Sequence, residues 1–291
     1  MSFARRKIDL TFRLGTGNFG ESGSNTVKVS GLRVHASIEK AGGASMGTAH
    51  LRVFGLTMSM MNQLTGIVAL IDGQIAYRAN EVVVEAGDDV AGMSVIFQGQ
   101  IAKSQIDMSG APESALMIVG TAGLFDASKP VPAVSYPGSA DAAVIMQNLA
   151  TQSGYSFENN GVSVILSSPY FHGSARDQMV ACANAAGIEW IIDDGVLAIW
   201  PKGGARGGAI PVVSPETGMV GYPIYDSPGI TVRTVFNNQL LYGAKVKVES
   251  SLAFANGTFI MFHLAHELQS ETPNGAWFTQ FYGSVGNDVT Q

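Results

Sequence analysis

After the first apolar run, Gly15-Thr16-Gly17-Asn18-Phe19-Gly20 has the spacing of a phosphate-cradling glycine loop. Such a loop works by opening a helix whose N-terminal N–H groups face the pyrophosphate. Here ESGSNTVKVSG follows, a loop and then a strand, so a hairpin loop is expected. His263 and His266 in FHLAHEL could share a metal on a helix, with Glu267 adjacent. The surrounding TFIMFHLAHEL alternates and follows an Asn-Gly turn, which makes it a strand with those two histidines on opposite faces. Cys182, the sole cysteine, stands between Ala181 and Ala183 in an apolar helical stretch and reads as a buried thiol. His172 precedes that helix without a third, orienting group. Asp193 and Asp194 are adjacent at a hairpin turn, where acidic residues suit the geometry; neighbours cannot flank one glycosidic bond from opposite sides. Trp190, Trp200 and Trp277 could offer sugar-stacking surfaces, although core anchoring is the expectation. Asn256-Gly257-Thr258 reads as a turn. No catalytic, cofactor-binding or metal constellation emerges, and the residue types argue for a scaffold.

Composition agrees. The 291 residues are 46% hydrophobic and only 14% charged, which excludes intrinsic disorder. Glycine is abundant, 35 residues without a collagen period, and marks a turn-rich chain. A single cysteine excludes an intrachain disulfide. MSFARRKIDL lacks the apolar core of a signal peptide, and no run approaches a membrane span, so a protein made in the cytoplasm without a membrane anchor is expected. The net charge of −6 is uneven: 1–57 holds eight basic and three acidic residues, 58–128 two basic and eight acidic. Solvated strand faces explain this, as would a basic face of one copy meeting an acidic face of the next. Nothing is basic enough for tight nucleic-acid binding.

Three blocks position these residues. In 1–128, alternation over 4–14, 26–38 (bent at Gly31), 49–56, 67–71, 74–86, 93–107 and 114–121 predicts strands, with a hairpin turn at Asp72-Gly73. Leu56, Met60, Met61 and Leu64 predict one short helix ending at Gly66. Seven or so strands suggest a closed or nearly closed barrel. In 129–208, a proline-rich opening precedes a helix capped by Ser139 and ended by Gly154, a strand at 162–166, a helix over 174–186 opened by a Ser174/Asp177 capping box, and a hairpin over 188–201. That order is a small α/β module, and KGGARGG at 202–208 is its exit linker. In 209–291, strands are expected at 230–237, 244–251, 257–269 and 276–283, between turns at Pro228-Gly229, Asn256-Gly257 and Pro273-Asn274-Gly275. Met46, Met58, Met60 and Met61 cluster around the short helix, as core packing or as an adaptable assembly surface.

VVSPETGMVGYPIYDSPGITVRTVFNNQLLYGAKVKVESS resembles the baseplate hub proteins of tailed bacteriophages, in which a stretch like Ser214 to Pro223 leads into a second barrel. GITV at 229–232, GAKVKVES at 243–250 and NGAWFTQ at 274–280 share the resemblance. RKIDLTFRLGTGNFGESGSNTVKVSGLRVHASIEKAGGASMGTAHLRVFGLTMSMMNQLT resembles the N-terminal barrel of the same hubs. These motifs are structural, and they imply membership without an active site.

The resemblance implies a mainly β fold with an α/β insert, two tail-tube-like β-barrels flanking a small α/β module, and leaves open whether the first barrel borrows a strand from 209–228. It implies a homotrimer whose six barrels adapt the six-fold tail tube, or an adjacent tube-initiator ring, to a three-fold central spike. Transient passage of DNA without specific binding, contacts with other baseplate proteins through the α/β module, and a place in the virion after assembly in the host cytoplasm follow from it. A separate spike is expected, since the sequence stops soon after the second barrel. A tail-tube or distal-tail ring component is the alternative; a carbohydrate-binding or lytic tail protein is an alternative of another class. The 15–25 and 39–47 loops are placed at ring contacts, with Asn18, Phe19, Glu39, Lys40, Gly42, Gly43 and Met46 as interface candidates. Gly-rich loops of this length are expected to order on assembly, and replacing 41–47 by a short turn is expected to impair ring formation while leaving the barrel folded.

Overall fold

The computed structural model describes residues 4–20, 23–65, 69–71, 74–76, 80–128, 131–226 and 229–285. Gly66, Asp72-Gly73 and Pro228, to which the sequence assigns turns, lie outside them, as does the end of the chain after residue 285. The fold is mainly β with an α/β insert, as the sequence implies. Two compact units divide the chain: one within Met1–Ile38, Thr48–Leu124 and His266–Trp277, the other within Glu39–Gly47, Phe125–Ala265 and Phe278–Gln291.

In the first unit the strand order is Thr26–Val29, Arg6–Arg13, Glu81–Asp88, Gly92–Asp107, Ala115–Thr121, Thr48–Phe54 and Val34–Lys40, followed by the end of Gly257–Ser270. Period-two patterning builds the core. Ile8, Leu10 and Phe12 face the same way as their register partners Ala86, Val84 and Val82, and all six are buried. The ladder shifts between Val84 and Glu85, which pair with Phe97 and Val95. Ile96 is thus the extra residue of a bulge, and both Ile96 and Phe97 turn into the core. The Phe97 ring lies over Gly120, where a Cβ would come within 2.9 Å of it. Helix α1 (Met58–Leu64) is capped by Thr57, whose hydroxyl accepts from the Met60 N–H at 3.3 Å, and buries Met61 and Leu64.

Helix α2 (Leu124–Ser128) leads into the second unit and has no counterpart among the expected elements. The α/β module follows. Ser156–Asn159 runs parallel to Val196–Pro201, which pairs antiparallel with Ile188–Asp193. Helices α3 (Ala142–Ser153) and α4 (Ala175–Ala186) pack there around Ile145, Met146, Leu149, Met179, Cys182, Trp190, Leu197 and Ile199. The α4 capping box and the left-handed caps Gly154 and Gly187 are as expected. The β part of this unit orders Ile224–Asp226, Gly229–Val235, Trp277–Val285 and Gly257–Ser270, with Lys245–Val248 and Val212–Val213 beyond. Val232, Leu240, Val246, Met261, Leu264 and Phe281 form its core.

Several local expectations differ. The run 26–38 breaks into Thr26–Val29 and Val34–Lys40 because Gly31 takes φ 71°, which ends the first strand. Ser139 does not cap α3; it pairs with Ser167 in a short ladder, and Asp141 accepts from the Ala143 N–H at 2.8 Å. The segment that joins the first unit late in sequence is His266–Trp277. Val212–Val213 pairs with Lys247–Val248, and Ile224–Asp226 with Gly229–Thr231, both within the second unit.

Candidate functional site

The second unit contains a buried chain of charges. Lys40 Nζ donates to Asp193 at 2.5 Å and to Asp194 at 2.6 Å. The Arg206 guanidinium donates to the other Asp193 oxygen at 3.0 Å, and its Nε and second amino group reach both Glu158 oxygens at 3.0 and 2.9 Å. Lys40, Asp193 and Arg206 are each less than 8% exposed. Asn160 extends the network, donating to Glu158 at 2.9 Å and accepting from the Gly207 N–H at 2.7 Å.

Local structure explains how these groups meet. Asp193 and Asp194 sit where the Ile188–Pro201 hairpin turns, with Asp194 at φ 50° and Gly195 at φ 81°, a conformation that Asp and Gly tolerate. Glu158 and Asn160 end the neighbouring parallel strand and its exit. Arg206 belongs to the linker, held by its N–H to Gly243 O at 2.7 Å. Lys40 continues the alternation of Val34–Lys40, so its side chain turns inward after Ile38.

Electrostatics set the protonation. Burial pulls the Lys40 ammonium down, but the facing Asp193 and Asp194 carboxylates outweigh it and its pKa stands above the ordinary value. Burial opposes ionisation of Asp193, yet Lys40 and Arg206 together hold its carboxyl below the usual range. Burial pushes Asp194 up to about 6 against the pull of Lys40, with repulsion from Asp193 adding to the rise. Arg206, hydrogen-bonded to Glu158, lowers the Glu158 pKa. Such a network fixes the position of the four segments that supply it.

Residues 39–47, expected to order on assembly, are seated inside the chain. Besides Lys40, the Gly43 N–H donates to Trp190 O at 2.7 Å and Arg176 donates to Ala44 O at 2.7 Å. Gly42 lies flat on Tyr242, whose ring would meet a Cβ there at 2.5 Å. The physical reason is that the Lys40 charge and the glycine backbone find partners in the module and at Tyr242. Glu39 stays exposed and Met46 half-buried. In the 15–20 loop Asn18 is exposed, with its carbonyl accepting from Gln63 at 3.0 Å, whereas Phe19 is buried and its N–H donates to Ser24 O at 2.8 Å. No helix opens after this loop; Thr26–Val29 returns along Arg6–Arg13.

The other singled-out residues are structural. Cys182 is fully buried, its thiol donating to Ala142 O at 3.9 Å, and burial pushes its pKa up to about 12. Trp190, Trp200 and Trp277 are each less than 5% exposed and anchor cores, so they offer no stacking platform. His263 and His266 lie on one strand; His266 is buried and the His263 ring meets Tyr282 edge-on at 5.0 Å. Ser214-Pro215-Glu216-Thr217-Gly218 forms one capped turn. Ser214 Oγ accepts from the Thr217 N–H at 3.3 Å and Thr217 Oγ1 donates to Val212 O at 2.8 Å. Gly218, at φ 109°, closes it, and its carbonyl accepts from Thr234 Oγ1 at 2.9 Å. In the first unit, a groove of about 260 Å³ is lined by His35, His50, Arg52, Lys103, Met117 and Glu267. Burial, then Arg33 and Arg52, lowers the His35 pKa. Among the described residues no cluster of His, Cys, Asp and Glu is arranged to hold a metal.

The ion network escaped sequence reasoning. Asp193-Asp194 was legible only as a turn, and nothing near Lys40 pointed to a partner 153 residues away. The one available signal was a lysine at an inward position of an alternating strand.

Solved structures that share this fold are tail proteins and a related secretion component. A tail protein from Neisseria meningitidis MC58 matches with TM-score 0.62 and 10% identity over 96% of each chain. The 43 kDa tail protein of prophage MuSo2 from Shewanella oneidensis matches at 0.59 and 9% identity, over 94% of this chain and 96% of that one. The E. coli c3393 protein is described as a type VI secretion component with structural similarity to the T4 tail proteins gp27 and gp5. It matches at 0.58 and 8% identity, over 88% of this chain and 74% of its own. No curated protein matches the chain in sequence. Two β-rich units and a small α/β insert therefore define a fold of the phage-tail class. Residues 8–280 match the family described as baseplate hub gp41, and the chain belongs to that family of phage tail structural proteins.

Proposed function

We propose that this chain is a non-enzymatic symmetry adaptor: a homotrimer that joins the six-fold tail tube, or a tube-initiator ring, to a three-fold central spike in the virion's baseplate. The observation that carries this reading is the presence of two β units in one baseplate hub chain. Three chains then present six β units, which is the arithmetic a three-to-six adaptor requires. The division into barrel-like blocks 1–128 and 209–291 around a module at 129–208 belongs to the proposal. The module is the attachment point for other baseplate proteins. The ring encloses a channel for transient DNA passage, and the sparse Lys and Arg content beyond residue 57 suits a lumen that must not retain phosphates. The exposed Glu39 and Asn18 and the half-buried Met46 are ring-contact candidates.

Light scattering across concentration, with electron microscopy of the assemblies, tests this reading. A three-fold ring is the expected result. A six-fold ring assigns the chain to the tube or distal-tail position instead. Cell-wall digestion by the purified protein overturns the structural role.

A further inference from the structure

Within the second unit, a pocket of about 260 Å³ has Glu189, Trp200, Tyr242, Gly243 and Phe262 in its lining. The Ile188–Pro201 hairpin supplies two of these. Glu189 and Trp200 are register partners, so they stand side by side on one face of the ladder. The buried Trp200 indole closes the floor, with the Tyr242 ring 6.3 Å away and inclined by 55°. Gly243, at φ 80°, lies against the indole, where a Cβ would come within 2.6 Å of it. Phe262, 41% exposed, forms an apolar rim. Glu189 is half-buried beside these rings, and among the described residues nothing offers its carboxylate a hydrogen bond or an opposite charge. The acids of the ion network, Asp193 and Glu158, have their cations inside the chain. The Glu189 charge is felt at Tyr242, whose phenol pKa is raised first by burial and then by that carboxylate. Withdrawing a carboxylate from water is unfavourable unless a cation meets it, and aromatic faces attract the same cation.

We propose that this pocket receives one basic side chain of a partner protein, a lysine or arginine whose charged head pairs with Glu189 while its aliphatic stem lies along Tyr242 and Phe262. The volume suits a single long side chain and falls below the roughly 300–1,000 Å³ of pockets that enclose whole drug-sized ligands. Every lining group belongs to one chain, so the inference goes beyond the adaptor reading and does not rest on the trimer.

A chemical-shift titration of the full chain, labelled with 15N-tryptophan, tests it at the Trp200 indole N–H, whose signal Trp200→Phe identifies. The probes are N-acetyl-lysine amide, N-acetyl-arginine amide and the uncharged N-acetyl-norleucine amide. The two charged probes are expected to move the signal saturably, and norleucine to bind about five-fold more weakly. Glu189→Gln is expected to weaken the charged probes about five-fold, to leave norleucine unaffected and to keep the melting temperature. Phe262→Ala, at an exposed position, is expected to weaken all three probes by about two- to five-fold. Norleucine binding as tightly as lysine overturns the proposal, as do charged probes that bind Glu189→Gln undiminished or that leave the Trp200 signal unmoved. Putrescine separates a free amine from a side chain: binding more than about ten-fold tighter than either blocked residue overturns the protein source. Each of these failures leaves the adaptor reading standing, since that reading depends on ring symmetry.

Discussion

Lys40 shows how a single side chain can anchor a loop. Its buried ammonium faces the buried Asp193 carboxylate and the half-buried Asp194 carboxylate, and Arg206 answers the far side of Asp193. Lys40→Met strands Asp193 with one partner fewer and is expected to cost about 3–5 kcal/mol in chemical denaturation, the usual penalty for half of a buried pair. Lys40→Met, Asp193→Leu, Asp194→Asn, Arg206→Met and Glu158→Gln together remove the charges as a set. That five-fold variant is expected to recover most of the loss, because replacing a whole network avoids an unpaired charge. Asp194 gives the network a pH signature. Its folded pKa of about 6 lies above the ordinary 3.8, so folding favours its protonated form. This contribution is complete below 3.8 and is lost as pH rises through about 6. Asp193, held below the usual carboxylate range, acts in the opposite sense: its contribution is present above 3.8 and is lost in stronger acid. Melting curves between pH 4.5 and 7 are expected to fall with rising pH in the unsubstituted chain and to flatten in Asp194→Asn. An unchanged slope in that variant would remove Asp194 from the account.

At the scale of elements, the turn at 214–218 governs how the chain enters its last strands. Gly218 takes φ 109°, where a side chain is strained, and its carbonyl receives both the Thr234 hydroxyl and the Val235 N–H. Gly218→Ala is expected to cost about 1–3 kcal/mol by backbone strain alone, read as a lower denaturation midpoint. In the first unit, the bulge at Ile96 turns two consecutive side chains inward, and Gly120 leaves room for the Phe97 ring. Gly120→Val is expected to displace that ring and cost about 1–3 kcal/mol as overpacking. Phe97→Leu in the same background should return part of the loss if the ring is the obstacle, which the second midpoint measures.

For the whole molecule, copies that each carry a net charge of −6 repel one another at long range. Exposed charges are screened beyond a Debye length of about 8 Å at physiological ionic strength. Raising salt from low to high is therefore expected to speed the association proposed above in stopped-flow scattering while leaving the melting temperature of the chain nearly unchanged.

Local signals were readable wherever the chemistry was local. Alternation in Arg6–Arg13 and Glu81–Asp88, the Ser174/Asp177 capping box, the left-handed glycines 154 and 187 and the Asp194-Gly195 turn depend on neighbours a few residues away, and the sequence alone determined them. So did the mainly β class with its α/β insert and the resemblance to baseplate hubs. Contacts between distant residues were decided only by the tertiary structure. The Lys40–Asp193–Arg206 network, the seating of 39–47 on Trp190 and Tyr242, and the membership of His266–Trp277 in the first unit join segments whose separation in sequence carries no periodic trace. Polar Ser156–Asn159 becomes a strand only because Val196–Pro201 offers it a parallel edge. Side-chain period and turn chemistry are written along the chain, whereas pairing across it depends on which edges, charges and cavities meet once the chain has folded.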